Sequence, residues 1–540
     1  MTILGGRGAA TDQADDPGAG PAVPRPPITR NDYTVLDVPP LGQWTPHLPV
    51  SVVIPAHGHQ EKLDLVLAAL AAQSYPAHLM EVVVVDDGSA PPLRLPEIRP
   101  EHTRLITAAP GAWGSGHAVN CGVAASDGAV VLRLDADMLV FREHVESQAR
   151  WHHRADYLAV LGHKMFVPFT PGALDPAEVR RAVAAGEADR LFDAASAEPH
   201  WIEGVIARTD RLTRPDPLAY RVFIGATGSL HRAVFDAAGG MAEDMVLGGD
   251  SEFAYRVAQT GAVFVPDTDT SSWHLGRSQM QAKRDAGTRF RHPYVATRVP
   301  NFANRRKQGP RQWAVPYVDV VVDVAEAGLE DADTTVSALL AGETADIRVW
   351  LVGPWSTLTD DRRAPLDDPR LDLRLIRETF RGDARIRFAD TAPAADPLVP
   401  FRLTLPAGCR PAPRGLTRLT EAAERECAGL VRVAAAGVPA SGPGSIRLER
   451  TAAYARARHL GTPEDDLDGA VERLFGLHWV RGPGVLADGP AEEPPTDWHV
   501  RLRQAEEEAR VQRERADRLE RRLAWLSRGL PARLARRLAR

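Results

Sequence analysis

Two apolar runs, "PVSVVIP" at 49–55 and "MEVVVVDDGS" at 80–89, are joined by "EKLDLVLAALAAQSYP", and this order constrains the fold more than any other feature. The joining segment sets Leu63, Val66, Leu67 and Leu70 on one helical stripe, whereas the flanking runs are β-branched and continuous. A helix between strands that are apolar on both faces defines a β-α-β unit of a parallel sheet covered on both sides, with a right-handed crossover. A third strand, "AVVLRLDADMLV" at 129–140, follows the Gly-rich loop and helix "GAWGSGHAVNCGVAAS". Ligands of open parallel sheets gather beyond the carboxyl ends of the strands, so Pro55 to His57, Asp86 and Asp87, and Asp135 and Asp137 should converge.

The D-x-D pattern decides nothing alone, because it recurs at 267–269, 331–333 and 466–468. Context separates the first occurrence. In a continuing strand Asp135 and Asp137 would point to opposite faces, but where the strand ends and the chain turns both can meet one hard cation, which takes oxygen ligands and leaves positions for phosphate oxygens. The competing reading makes Asp135 a cap for the helix predicted around "FREHVESQARWH".

Composition narrows the classes. A chain of 540 residues, 44% hydrophobic and 25% charged, can bury two or three domain cores. A net charge of -6 gives no reason for nucleic-acid binding. Cys121, Cys409 and Cys427 fit no disulfide framework and no zinc spacing, and read as small core residues in a reducing compartment. Neither a signal-like N-terminus nor a run of about 18 apolar residues occurs, so the expected location is cytoplasmic. Residues 1–48, rich in Pro, Gly and Asp at their start, are expected as a disordered tail. The segment 498–540 reads as a charged, basic helix carrying Leu530, Leu534 and Leu538 on one side, either a solvated or self-associating coil or a peripheral anchor on an anionic membrane.

The second half repeats the order of the first. "YVDVVVDVAEAGLEDADTTVSALLAGETADIRVWLVG" follows the strand-loop-helix-strand order of the first unit, "FRLTLPAGCRPAPRGLTRLTEAA" parallels "VLRLDADMLVFREHVESQA", and "GSIRLERTAAYARARHLG" parallels "GSLHRAVFDAAGG". On this alignment Pro406 and Gly408 replace Asp135 and Asp137, so the second half is either a degenerate copy or an unrelated α/β domain.

"VSVVIPAHG", "VVVVDDGS", "GHAVNCGVAASDGAVVLRLDAD", "GATGSLHRAVFDAAGGMAED" and "GGDSEFAYRVAQTGAVFVP" together resemble the family 2-like glycosyltransferases of the GT-A fold, over roughly residues 49–276. The resemblance implies a GT-A-type (Rossmann-like) mixed α/β sheet flanked by helices at 49–295; the internal repeat adds the expectation of a linker at 296–315 and a second, degenerate GT-A-like α/β domain at 316–497. It implies a nucleotide-sugar donor, a hydroxyl-bearing acceptor and a divalent metal, Mn2+ or Mg2+. Pro55, Ala56, His57, Asp87, Asn120 and Asp135 would bind the nucleotide, Asp137, Asp135 and His274 the metal, and Arg277 a phosphate. Asp250 would be the base that deprotonates the acceptor, or a helix cap as well; because Gly249 replaces the Glu of the family's E-D pair, Glu252 is the alternative base. His274 is either a ligand or an ordinary hydrogen-bonded residue, and Trp201 and Glu203 are candidates to face the acceptor. "QMQAKRDAGTRF" lacks the Q-x-x-R-W of processive synthases, which implies one transfer per encounter. The competing functions are a nucleotidyltransferase, which lacks the basic loop it needs after the first strand, and a non-catalytic assembly protein.

Overall fold

The computed structural model describes residues 23–302, 311–359, 364–442 and 444–487, together with 507, 510–513, 515–516 and 518–520. Its first half contains β1 (Val50–Ala56), β2 (Met80–Asp86), β3 (Thr103–Thr107), β4 (Val130–Leu134), β5 (Met138–Val140), β6 (Leu158–Gly162), β7 (Met165–Val167), β8 (Glu198–Pro199), β9 (Thr227–His231), β10 (Val263–Asp267) and β11 (Ser272–Leu275). Seven of these form one sheet in the order β3-β2-β1-β4-β9-β6-β10, and β5-β11-β7-β8 form a smaller sheet beside it. Within the larger sheet only β9 runs against its neighbours. Val52, Val53 and Ile54 of β1 and Val82 to Val85 of β2 are completely buried, as continuous apolar strands covered on both faces must be. Each such side chain stabilises the fold by roughly 1.5–3 kcal/mol. Gly122 lets the helix Ser115–Ala124 lie against this centre, because a Cβ there would stand 2.4 Å from Val53 Cγ1.

The second half contains β12 (Val318–Asp323), β13 (Ile347–Val352), β14 (Ile386–Ala389), β15 (Phe401–Pro406), β16 (Leu430–Ala434), β17 (Arg447–Arg450) and β18 (Leu477–Arg481), in the order β14-β13-β12-β15-β17-β16-β18. Substituting β12 to β18 in turn for β1, β2, β3, β4, β6, β9 and β10 converts the first order into this one, and every pair keeps its direction. The registers match as well: Val50 pairs with Val130 as Val318 pairs with Phe401. Counting on from those pairs, Pro406 and Gly408 stand at the places of Asp135 and Asp137. One part of the expected alignment shifts. His231 lies opposite Val130 and Arg450 opposite Phe401, so the β9 equivalent begins three residues later than "GSIR" placed it. The repeated Gly-Ser dipeptide was a coincidence of composition.

Several boundaries are corrected. Residues 23–48 are not a disordered tail: Ile28 and Tyr33 are buried with Trp151 and Tyr157, and the Asn31 amide donates to Leu212 O and Phe264 O while accepting from Phe264 N. Two apolar anchors and an amide that completes a sheet edge outweigh the Pro-rich composition around them. The first domain also runs past 295, since the helix Arg284–Arg298 contains the buried Val295 and Ala296 and Val299 packs behind it. The three cysteines are free and half-buried rather than core. The two sheets and the N-terminal strap meet at Arg456, whose guanidinium donates to Gly261 O at 2.6 Å, Ala262 O at 3.2 Å, Ile28 O at 3.1 Å and Arg30 O. Gly261 allows that approach, because a Cβ would lie 2.6 Å from Arg456 N and its φ is +88°. Asp488–Arg540 is a unit of its own, and the Leu530, Leu534 and Leu538 stripe lies outside the described residues. Among the described residues no helix is long and apolar enough to cross a membrane.

Candidate functional site

The ends of β1, β2 and β4 do converge, and each end is shaped by hydrogen bonds its own sequence supplies. After β2, Asp86 accepts from Ser89 N at 2.9 Å and Leu93 N at 3.0 Å, closing the turn through Gly88, whose φ of +78° suits glycine. Burial alone would raise the Asp86 carboxyl, but these bonds together hold it below its ordinary value. Asp87 is thereby turned toward the loop 111–114, where its Oδ2 accepts from Gly114 N at 2.8 Å. Its backbone N–H donates to Ala56 O, which ties β2 to the Pro55-Ala56-His57 end of β1, and its backbone O meets His57 Nδ1 at 2.9 Å. That same O accepts from Trp113 Nε1 at 3.1 Å, and the indole, 51% exposed, stands edge-on 5.8 Å from the His57 ring. Trp113 was not singled out from the sequence, although an exposed Trp in a Gly-rich loop was signal enough. Asn120 is not turned to a ligand: its amide bonds both Met241 O and Met241 N and also Glu243, tethering the helix Ser115–Ala124 to the loop before the Asp250 helix.

The chain turns at the end of β4, as the paired-carboxylate reading requires. Asp135 N donates to Ala226 O and Met138 N to Asp135 O, so Asp135 caps no helix; the next helix, His144–His152, begins behind Glu143. Asp137 Oδ1 lies 3.6 Å from His274 Nε2 and Oδ2 lies 3.5 Å from Lys62 Nζ. The His274 ring faces Gly276 O with Nδ1 at 3.0 Å, so Nδ1 carries the hydrogen and Nε2 presents its lone pair to a carboxylate. Burial, opposed by Asp137, lowers the pKa of this imidazole. Two acceptors facing each other across that gap, with the imidazole oriented by a carbonyl behind it, could supply two ligands to a divalent cation. Among the described residues no third His, Cys, Asp or Glu joins them, which leaves the other coordination positions to ligand oxygens and water.

Asp135 turns instead to Arg133, whose Nη2 is 3.2 Å away while Nη1 bonds Asp250 Oδ1. Burial, reinforced by Asp137 and Asp250 and opposed by Arg133, raises the Asp135 carboxyl to about 6. Arg133 projects from a buried strand and lies against Gly225, where a Cβ would come within 2.0 Å of its Cζ. Asp250 sits in the first turn of Gly249–Gln259, behind the left-handed Gly248, and makes no cap. Burial would raise its carboxyl, but Arg133 and the Gly225 N–H outweigh that and hold it below the ordinary range, so it is ionised. Glu252, the alternative, is buried and accepts from Arg256 at both its oxygens at 2.7 Å. Lys164, between β6 and β7, is completely buried, and burial lowers its ammonium to about 8 against the pull of Glu203, Asp135 and Asp250. Glu203 lies 4.0 Å from His163, and the Trp201 ring is 56% exposed beside His200. Arg277 does not reach the carboxylates, being exposed and paired with Glu198 at 3.7 Å.

Residues 51–184 match the family described as Glycosyl transferase family 2. The resemblance to family 2 glycosyltransferases read from the motifs lies in the N-terminal half, where this match falls. No curated protein matches the chain in sequence. Similar solved structures include the mannosyltransferase PcManGT from Pyrobaculum calidifontis in complex with GDP-Man and Mn2+, at 19% identity and a TM-score of 0.31 over 51% of this chain and 68% of that one. TarS from S. aureus matches at 15% identity and a TM-score of 0.31, over 47% of this chain and 40% of its own. GalNAc-T7 with UDP, GalNAc and Mn2+ matches at 16% identity and a TM-score of 0.31, over 43% and 44%. The chain thus spans less than half the length of the latter two.

Proposed function

We propose that the chain is a metal-dependent, inverting and non-processive glycosyltransferase that moves a sugar from a nucleotide-sugar donor to an acceptor hydroxyl. The observation that carries this reading is the pairing of Asp137 with the lone-pair nitrogen of His274, set across the strand ends from an ionised Asp250. Asp87, His57 and Trp113 line the place of the base and ribose; Asp137 and His274 would hold the cation, and Lys62 adds a positive charge for the diphosphate. The cation, when bound, stabilises the negative charge that gathers on the leaving diphosphate. Asp250 takes the proton of the acceptor hydroxyl as that oxygen forms its bond to the anomeric carbon; the bond to the diphosphate oxygen breaks on the opposite face, and the configuration inverts. Arg133 keeps Asp250 ionised and aimed, at some cost to its basicity. Asp135 acts through Arg133 and the neighbouring nucleotide, not as a second ligand.

The acceptor is a glycan, a lipid-linked saccharide or a small molecule, and the reaction takes place in the cytoplasm, with the Arg- and Leu-bearing C-terminal segment serving self-association or contact with an anionic membrane face. The test is calorimetric binding of UDP, GDP and dTDP with Mn2+ and then with excess chelator. Metal-dependent binding of one nucleotide by the wild type, lost in Asp137→Ala, is the expected result. Failure of every nucleotide to bind under either condition would overturn the reading.

A further inference from the structure

Guanidiniums packed inside this fold commonly face carboxylates: Arg133 bridges Asp135 and Asp250, Arg348 pairs with Asp319, and Arg447 meets Glu449 and Asp468. The cavity between the two halves is different. Arg30 of the N-terminal strap and Arg450 and Arg456 of the second half line it, and among the described residues every hydrogen bond of their guanidiniums ends on a backbone carbonyl. Its volume, about 800 Å³ with the open mouth included, falls in the range of small-molecule sites, which favour the joints between domains.

Two of the three arginines are placed to share one ligand. Arg30 donates through Nη2 to Glu426 O at 3.1 Å and Arg450 through Nε to Ala428 O at 3.0 Å, so both forks meet the turn that carries Cys427, itself part of the cavity wall at a φ of +48°. Arg450 Nη2 donates to Ala423 O and Arg30 Nε to Phe475 O, which leaves Nη1 of each without a protein acceptor among the described residues. A fork held by carbonyls at one edge offers its remaining donors to an anion in a fixed geometry. Arg456 contributes charge alone, because Nε, Nη1 and Nη2 are all engaged and its Cζ lies 4.7 Å from the Phe475 ring centre. Against these three charges the lining sets one carboxylate, that of Asp216, which accepts from Leu218 N at 2.8 Å. The excess matches a phosphomonoester, which carries about -1.5 to -2 at neutral pH.

The opposite wall is aromatic. Tyr220 and Tyr255 pack edge-on with ring centres 5.7 Å apart, and their hydroxyls donate to Asn301 Oδ1 and Leu398 O, so these rings, with Pro217 and Pro400, present apolar surface to the cavity. We propose that the cavity binds a ring-bearing phosphomonoester, its phosphate held by Arg30 and Arg450 and its ring against the tyrosine and proline wall. None of the lining residues belongs to the strand-end site, so the proposal stands apart from the transferase reading. Strap, first half and second half all contribute to the wall, and a ligand bound only when they are joined stabilises the joint by mass action.

The experiment uses the full chain in excess chelator, with thermal unfolding and calorimetry in inorganic phosphate, phenyl phosphate, glucose 6-phosphate and phenol. At least one of the two esters should raise the melting temperature of wild type and bind about tenfold or more tightly than inorganic phosphate, while phenol has no effect. Arg450→Gln and Arg30→Gln should each weaken that ester about 10- to 100-fold. Ala452→Trp, which fills the cavity and leaves the arginines in place, should abolish its binding. If Arg450→Gln fails to fold for want of its bonds to Ala423 and Ala428, Arg30→Gln and Ala452→Trp carry the test. Binding of neither ester by wild type, inorganic phosphate bound as tightly as both, or ester binding unchanged in Arg30→Gln and Ala452→Trp each overturn the proposal. Preference for phenyl phosphate identifies an aromatic ring as the partner of the wall, and preference for glucose 6-phosphate a sugar ring.

Discussion

At the end of β4 the chain turns through Asp135, Ala136 and Asp137; at the end of β15 it turns through Pro406, Ala407 and Gly408, on a sheet of the same strand order and direction. The helix after the first strand shows the same inversion. Its third residue is Lys62 in the first half, facing Asp137, and Asp331 in the second, whose carboxylate would lie 3.3 Å from a Cβ at Gly408. Inside the sheets the exchange is conservative in role: Ser51 donates to Glu81 across β1 and β2, and Arg348 donates to Asp319 across β12 and β13. Buried strands and their covering helices define the fold, while a few residues at strand ends define the site, and the second group can be lost without disturbing the first.

The sharpest way to break this comparison is to remove the proposed base. Asp250→Asn should lower turnover by about 10²- to 10⁴-fold while nucleotide binding and melting temperature stay near wild type. A variant that keeps its rate would remove Asp250 as the base. Next in size, His274→Ala should weaken apparent Mn2+ affinity in the nucleotide complex by roughly 10- to 100-fold, measured by metal titration. Substitution of Cys409, beside the equivalent turn of the second half, should leave that titration unchanged. The joint between halves is a matter of stability. Arg456→Met leaves the carbonyls of Ile28, Arg30, Gly261 and Ala262 without that donor and should cost about 3 kcal/mol in urea unfolding, with strap and both sheets loosening together.

Strand ends were readable because their periods and polar terminators are local in sequence. The Val runs, the turn after Leu134 and the equivalence of Pro406 with Asp135 all follow from patterns a few residues long. What escaped depends on contacts distant in the chain. Asn31 completes an edge at Phe264, and Asn120 binds Met241, neither of which its neighbours announce. Arg133 was visible as the single charge in a buried strand, yet its partner Asp250 lies 117 residues away. Lys164 follows the apolar run of β6 and reads as an ordinary loop residue until its burial is known.

The smallest effect concerns acid. Asp156, in the first half, accepts from Arg25 of the strap at 2.7 Å and meets His459 of the second half at the same distance, with His231 also close enough to feel its charge. Burial would raise its carboxyl, but the bonds from His459 and Arg25 prevail and hold it below the ordinary value of 3.8. A carboxyl depressed by folding contributes stability that is fully present above its unfolded pKa and is lost as pH falls through the folded one. Because Asp156 keeps some contact with solvent and Arg25 is exposed, this contribution amounts to about 1 kcal/mol or less. Unfolding midpoints of wild type and Asp156→Asn should therefore differ slightly above the ordinary carboxylate value and converge below it. A difference that persists unchanged well below the ordinary carboxylate value would show that the ionised Asp156 carboxylate does not stabilise the fold.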